Sequence, residues 1–102
     1  MSRFADHYSS FGTGELEGST DPVQCPTRPA KLVVFKAKHD NSGKVYIGFG
    51  DDITTPDEST NQTAGWPLAE GEETPALPID NLNQIWYKCD ADTDALHYVI
   101  YN

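Results

Sequence analysis

The fold class is decided by residues 31–49, KLVVFKAKHDNSGKVYIGF. Both ends of this segment are rich in β-branched and aromatic residues, and alternate residues of a strand share one face. This period predicts one buried face, made of Val33, Phe35, Ala37, Val45, Ile47 and Phe49. Residues 39–43 between the two runs contain Asn and Gly, which favour turns. The segment therefore predicts two strands joined as an antiparallel hairpin.

The rest of the chain continues as short extended runs separated by turns. Such runs lie at 66–69, 75–79, 84–89 and 95–101. The run at 75–79 belongs at a sheet edge, because its two prolines cannot donate to a ladder. No run has the period of an amphipathic helix beyond about one turn. The pattern predicts an all-β chain with a single antiparallel β-sandwich, either a small jelly roll or an immunoglobulin-like domain.

The first 22 residues show neither a strand period nor a helix period. They carry three spaced aromatic residues, Phe4, Tyr8 and Phe11, which a fully disordered tail rarely contains. We therefore predict an extended N-terminal arm over residues 1–22 and a β-sandwich domain over residues 23–102. A frayed tail is the alternative interpretation.

Composition and charge exclude several classes of function. The chain has 102 residues, 37% of them hydrophobic, and a formal net charge of −9. This length predicts one domain with one core. A nucleic-acid-binding protein needs a basic surface, so we predict no nucleic-acid partner. An anionic membrane surface would repel the chain, and no apolar run approaches transmembrane length, so no membrane partner is expected.

The charges are unevenly distributed along the chain. Five of the seven basic residues lie between 28 and 44, whereas residues 51–94 hold eleven acidic residues against one lysine, Lys88. This asymmetry suits docking between opposite faces of two subunits, or complementary halves of one domain. The first seven residues lack the apolar core of a signal peptide, which predicts synthesis in a reducing cytoplasm. There, Cys25 and Cys89 are expected to be free and buried, or at most adjacent across a sheet.

The last two strands carry large apolar residues on both faces. If residues 90–94 form the turn of a hairpin, one face holds Ile85, Tyr87, Cys89, Leu96, Tyr98 and Ile100. The opposite face then holds Trp86, His97, Val99 and Tyr101. Either the domain covers both faces itself, or one face is an interface, which we favour for so small a chain. The predicted interface residues are Phe4, Tyr8, Phe11, Trp86, His97, Val99 and Tyr101.

No constellation of residues predicts catalysis. Glu70, Glu72 and Glu73 surround a glycine in a turn, where a carboxyl is solvated, whereas a general acid needs a buried carboxyl. Residues 90–94, DADTD, resemble the start of a calcium loop, but the required glycine and glutamate are replaced by Ala95 and Tyr101. That leaves at most an adventitious cation at this turn. We predict no catalytic residue, no metal site, no cofactor and no enzyme activity.

Four motifs in order carry a family resemblance. They are Val23-Gln24-Cys25-Pro26, Gly43-Lys44-Val45-Tyr46-Ile47-Gly48, Leu68-Ala69-Glu70-Gly71-Glu72, and Leu77-Pro78-Ile79-Asp80-Asn81-Leu82-Asn83 leading into Ile85-Trp86-Tyr87. From Cys25 onward the chain resembles small virion proteins of tailed bacteriophages, although Glu70 stands where the group has proline. The resemblance implies a β-sandwich that decorates or cements a capsid, commonly as a trimer.

The resemblance leads to a functional expectation and its alternatives. We expect a homo-oligomeric decoration protein, made in the cytoplasm of the host bacterium, that binds the major capsid protein on the outer surface of the virion. One alternative is a receptor- or carbohydrate-binding module of a fibre or tail, with Trp66 and Tyr46 stacking on sugar rings, unless Trp66 belongs to the core. Another alternative is a head–tail adaptor.

Overall fold

A computed structural model describes residues 11–51, 53 and 65–102 of the chain. This part contains eight strands and a short 3-10 helix, Leu82–Gln84, before the seventh strand. The strands are β1 (Phe11–Glu17), β2 (Val23–Gln24), β3 (Leu32–Ala37), β4 (Val45–Gly48), β5 (Trp66–Leu68), β6 (Leu77–Pro78), β7 (Trp86–Cys89) and β8 (Ala95–Tyr101). All strand pairs are antiparallel, which confirms the all-β prediction.

The strands form two four-stranded sheets that pack as a sandwich. Sheet A has the order β1-β8-β3-β6, and sheet B has the order β2-β7-β4-β5. First pairs with last, second with seventh, third with sixth and fourth with fifth, as if one long hairpin were folded over both sheets. This nested order is that of a jelly roll. The immunoglobulin alternative is wrong, because that fold groups its strands differently.

Both predicted hairpins are wrong. Strands β3 and β4 lie in different sheets, as do β7 and β8, so each connecting turn crosses a corner of the sandwich. The glycine of the first turn serves a close approach rather than a hairpin turn. A Cβ added at Gly43 would lie 2.6 Å from Cβ of Asp90. Among the described residues, only Gly71 has a positive φ, at 75°.

Part of the predicted N-terminal arm is a strand of sheet A. Residues 11–17 form β1 and pair with β8 from Phe11 opposite Tyr101 to Glu17 opposite Ala95. The period was hidden because two of its inward positions are glycines. A Cβ at Gly14 would lie 2.4 Å from the Tyr98 ring, and one at Gly12 would lie 2.6 Å from a guanidinium nitrogen. Residues 1–10, including Phe4 and Tyr8, lie outside the described residues.

The core lies between the two sheets and follows the period-two prediction closely. Val33, Phe35, Val45 and Leu96 are completely or almost completely enclosed, together with residues from β1, β5 and β7. Fully burying such a side chain contributes about 1.5–3 kcal/mol. Phe49 departs from the prediction: it follows the end of β4 and is exposed.

The glutamate-rich segment is the solvated turn that the sequence predicts. Glu70 and Gly71 form the turn between β5 and the bridge at Glu73, and the backbone N–H of Glu72 donates to Ala69 O at 3.0 Å. Gly71 is needed because its positive φ is unfavourable for other residues. The three glutamates are exposed, so the turn presents charge to solvent. The run at 75–79 contributes the edge strand β6, as predicted.

Candidate protein-binding surface

The outward face of sheet A carries a continuous set of apolar side chains. The strand register aligns Phe11, Tyr101, Leu32 and Pro78 in one cross-strand row. The next row places Val99 opposite Val34. We define the apolar stripe as Phe11, Leu32, Val34, Pro78, Val99 and Tyr101. A sheet with one solvated face normally alternates apolar and polar residues, and this end of the face does not.

The side chains of the stripe remain accessible in the described structure. Phe11 is 71% exposed, and Pro78 is exposed as well. The Phe11 ring lies over the neighbouring strand, with its centroid 6.5 Å from that of Tyr101 and the ring planes tilted by 38°. Leu32, Val34 and Val99 are half-buried by their neighbours in the sheet. The stripe is therefore an accessible apolar surface, and burying it against a partner would stabilise the complex.

The opposite end of the same face is charged. His97 lies between Glu15 of β1 and Lys36 of β3, and the backbone of Lys36 forms an isolated antiparallel β-bridge with Glu73. Lys38 donates to a Glu15 carboxylate oxygen at 3.0 Å, and this hydrogen bond with its charge attraction raises the pKa of Lys38. The pair is exposed, so it stabilises the fold little. Sheet A thus presents an apolar end and a charged end on one face.

The outward face of sheet B is partly covered by the chain itself. Ile53 is buried and packs where a Cβ at Gly48 or Gly65 would lie 2.8 Å from its side chain. Tyr46 is also buried there, with 6% of its surface exposed. Trp86 lies on this face, half-buried and opposite Gly48.

The structure divides the predicted interface residues between two faces. Phe11, Val99 and Tyr101 belong to the apolar stripe, and His97 lies on the same face at its charged end. Trp86 lies on the opposite side of the sandwich, so one flat partner cannot contact all of them. Phe4 and Tyr8 lie outside the described residues. The sequence analysis missed three members of the stripe, although alternation in β3 and β6 could have found them: Leu32, Val34 and Pro78.

The three aspartates that resemble a calcium loop bind backbone groups of the fold. Asp94 is buried and accepts from Ser42 N at 2.7 Å, Ser42 Oγ at 3.1 Å and Gly43 N at 3.0 Å. Asp90 accepts from the N–H of residue 44 at 2.9 Å, and Asp92 accepts from that of residue 20 at 3.0 Å. These bonds explain the spacing of the acids. Within residues 11–51, 53 and 65–102, no group of three His, Cys, Asp or Glu residues is placed to hold a metal.

The asparagine of the first corner completes this arrangement. Asn41 is buried, donates to Ala95 O at 2.8 Å and accepts from Ala95 N at 2.9 Å, as a backbone partner would. We call Asn41, Asp90 and Asp94 the corner network, since they join the turn after β3 to the turn before β8. An open pocket of about 310 Å³ lies beside it, lined by Asn41, Ser42, Gly43, Lys44, Ala69, Glu70 and Asp90. The Asp90 carboxylate in this pocket accepts hydrogen bonds from Lys44 N at 2.9 Å and from the Tyr46 hydroxyl at 3.5 Å, so it serves the fold.

The buried thiols and the neighbouring phenol are not activated for chemistry. Cys25 and Cys89 are free and buried, as predicted. Burial raises the pKa of Cys25 to about 12 and also raises that of Cys89. Tyr87 donates its hydroxyl to Glu17 O at 2.7 Å, and burial raises its pKa to about 12. A reactive cysteine needs a lowered pKa, so neither thiol has the character of a nucleophile.

Comparisons with family models, with curated proteins and with solved structures gave no significant match. In the described ranges, no helix is both long enough and apolar enough to cross a membrane.

Proposed function

We propose that this chain is a structural protein of a phage virion, a decoration or cement protein that binds the outer surface of the capsid lattice. The observation that carries the proposal is the apolar stripe of sheet A. An acidic domain of 102 residues gains nothing in solubility from six adjacent apolar side chains on a sheet face. Such a surface is typical of a protein-binding site. The sequence resemblance supplies the particle as the partner.

The proposed mechanism is passive stabilisation. A protein that binds only the assembled lattice stabilises it by mass action, and many copies add avidity. Burying one large side chain of the stripe contributes up to about 1.5–3 kcal/mol. Homotrimerisation is part of the proposal, with the major capsid protein as the further partner. Residues 1–10 precede Phe11 directly, so the segment that contains Phe4 and Tyr8 is attached at the apolar end of sheet A.

The fold is compatible with the proposal but does not select it. Jelly rolls occur in viral capsid proteins and also in lectins. Function therefore has to be argued from the surface rather than from the topology. The stripe favours contact with a protein surface, because an apolar patch on a partner protein would remove these side chains from water.

Binding to particles tests the proposal. Purified protein would be added to phage particles that lack it, and its occupancy measured after sedimentation. We expect saturable binding and a higher temperature of DNA release from the particles. A double variant, Val34→Glu with Val99→Glu, should bind at least about tenfold more weakly, because binding would remove two charged side chains from water. The matched control is Ala76→Glu, at an exposed position outside the stripe. Absence of wild-type binding would reject the proposal.

One observation keeps carbohydrate binding as a second candidate. Trp66 is 55% exposed on the edge strand β5, so it is not a core residue. Its proposed companion Tyr46 is buried and offers no ring for stacking. A glycan array probed with wild type and Trp66→Ala decides this candidate. Binding that the substitution abolishes would support a receptor-binding module, and no binding by either protein would reject it.

A further inference from the structure

The four edges of the two sheets are unequally protected. An edge strand presents unpaired N–H and C=O groups that can pair with another chain, and proteins shorten such strands or place proline in them. Strand β2 has two residues, β5 has three including Pro67, and β6 has two including Pro78. Strand β1 has seven residues and no proline. It is therefore the edge best suited to accept an additional strand.

The backbone groups of β1 that face outward can be identified from the register. Lys31 N donates to Tyr101 O at 2.8 Å, so the odd-numbered residues of β8 direct their polar groups toward β3. The even-numbered residues of β8 then bond to β1. By the pairing of the two strands, Thr13, Glu15 and Glu17 direct their N–H and C=O groups to the outer edge.

Two side-chain contacts agree with this direction. Thr13 O accepts from Arg28 Nη1 at 3.5 Å, and Glu17 O accepts from the Tyr87 hydroxyl, both on the side away from β8. A carbonyl oxygen has a second lone pair for a further donor. Within the part of the chain that the structure describes, no residue accepts a hydrogen bond from the N–H groups of Thr13, Glu15 and Glu17. Three adjacent donors are thus available along this edge.

We propose that the β1 edge binds an extended, basic segment of a partner protein by antiparallel strand addition. This inference rests on the proposed function, for which it names the binding edge and the chemistry of the partner. Main-chain hydrogen bonds supply the attachment, and side chains on alternate positions supply the selectivity. The added strand would continue sheet A and widen its outward face.

The side chains of β1 define what the partner segment carries. Glu15 and Glu17 point to the outward face of a molecule with net charge −9, and the Glu15 carboxylate is already paired with Lys38. The position opposite Glu17 therefore suits Lys or Arg best, and the position opposite Glu15 suits them less strongly. The positions opposite Phe11 and Thr13 adjoin the apolar stripe and suit apolar residues. A second copy of β1 fits less well. Pairing about Gly14 would set the two Glu15 side chains diagonally across the new strand pair, where they repel.

A matched pair of peptides tests the proposal. The probes are the capped peptides KTKTVTV and ETETVTV, added to the uniformly labelled full chain and followed by amide chemical shifts. The lysine peptide should change the amide chemical shifts of Thr13, Glu15 and Glu17. The glutamate peptide should bind at least about tenfold more weakly than the lysine peptide. Glu17→Lys should weaken binding of the lysine peptide about fivefold or more, and it leaves the ion pair of Lys38 and Glu15 in place. Glu70→Lys is the control, since it changes the net charge equally at an exposed turn.

A proline variant tests the main-chain bonds directly. Thr13→Pro removes one outward N–H and keeps the N–H groups of Gly12 and Gly14 that face β8, and Gly12 before it avoids the usual clash with a preceding Cβ. We expect about a tenfold loss of peptide binding with an unchanged thermal midpoint. Shifts that map elsewhere, or a folded variant that binds like wild type, would overturn the inference.

Particle binding separates this inference from the proposed function. If Thr13→Pro decorates particles as well as wild type does, the inference is wrong and the decoration function stands. If wild type binds the lysine peptide at β1 but binds no particle, the decoration function is wrong and the edge remains a strand-binding site.

Discussion

The corner network makes a quantitative prediction about stability. Asp94 is 2% exposed and its carboxylate accepts three hydrogen bonds, two of them from backbone N–H groups of Ser42 and Gly43. Replacing Asp94 with Ala would leave these donors without their acceptor, although Ser42 is exposed and Gly43 is half-buried. A buried donor left unsatisfied costs about 1–3 kcal/mol and a part-buried one costs less, so we expect a loss of about 2–4 kcal/mol for Asp94→Ala.

A loss of this size is large for a domain of 102 residues. Total stabilities of such domains are about 5–15 kcal/mol. Since each kcal/mol shifts the midpoint of a domain this size by about 4–8 °C, thermal unfolding should move down by about 8 °C or more. Urea unfolding followed by the fluorescence of Trp66 and Trp86 measures the free energy directly. The denaturant slope should stay unchanged, because the exposed surface on unfolding is similar.

Two variants control for the identity of the lost interaction. Asp94→Asn keeps one acceptor oxygen but turns an amide donor toward a backbone donor, so its loss should fall between wild type and Asp94→Ala. Asp92→Ala removes an exposed carboxylate with one backbone bond and should cost less than about 1 kcal/mol. If Asp94→Ala costs no more than Asp92→Ala, the corner network does not hold the two turns together and the reasoning is refuted.

Three further predictions concern the core. The buried Cys25 and Tyr87 stay protonated in the folded state at a pH where they ionise in the unfolded state. Above about pH 9 the free energy of unfolding should therefore fall by up to about 1.4 kcal/mol per pH unit for each group. Urea titrations at pH 8 and pH 11 check this, and equal stabilities at the two pH values would contradict it. Cys25 and Cys89 should react with a thiol reagent at pH 8 only after unfolding, and a fast reaction of the native protein would show that they are accessible. Gly14→Ala should destabilise the fold by about 1–3 kcal/mol, because its methyl group would overlap the Tyr98 ring; circular dichroism melts measure the loss, and an unchanged midpoint would disprove the contact.

Local patterns in the sequence predicted the strands well where side chains alternate. Period two gave the buried faces of β3 and β8, with Phe35 and Tyr98 inward as expected. It missed the whole of β1 because Gly12 and Gly14 replace the side chains that would reveal the period. A glycine that makes room for a distant ring looks like a loop residue until the ring is located. The sequence therefore predicts a strand locally only where the inward positions carry their own side chains, and not where glycines leave room for a side chain that is distant in sequence.

The pairing of strands could not be predicted from the turns. Residues 39–43 have hairpin composition, yet Asn41 bonds to Ala95, a residue 54 positions away, and so holds a corner. A turn does not reveal which sheet the next strand joins. The candidate surface had the same limit: Val99 and Phe11 share a face through a register set by the whole sheet, whereas Trp86 belongs to the other sheet. The consecutive strands β7 and β8 therefore place their outward side chains on opposite sides of the sandwich.

The nested strand order also governs when this chain can fold during synthesis. Strand β8 lies between β1 and β3, so the two pairings that it makes in sheet A cannot form until residues 95–101 have been synthesised. Until then its first strand has no neighbour in the sheet, and the long edge that it later presents has no structure. Contacts so distant in sequence form slowly, within about milliseconds to seconds. The chain therefore spends this interval without the β8 pairings of sheet A, and its net charge of −9 favours solubility during that time.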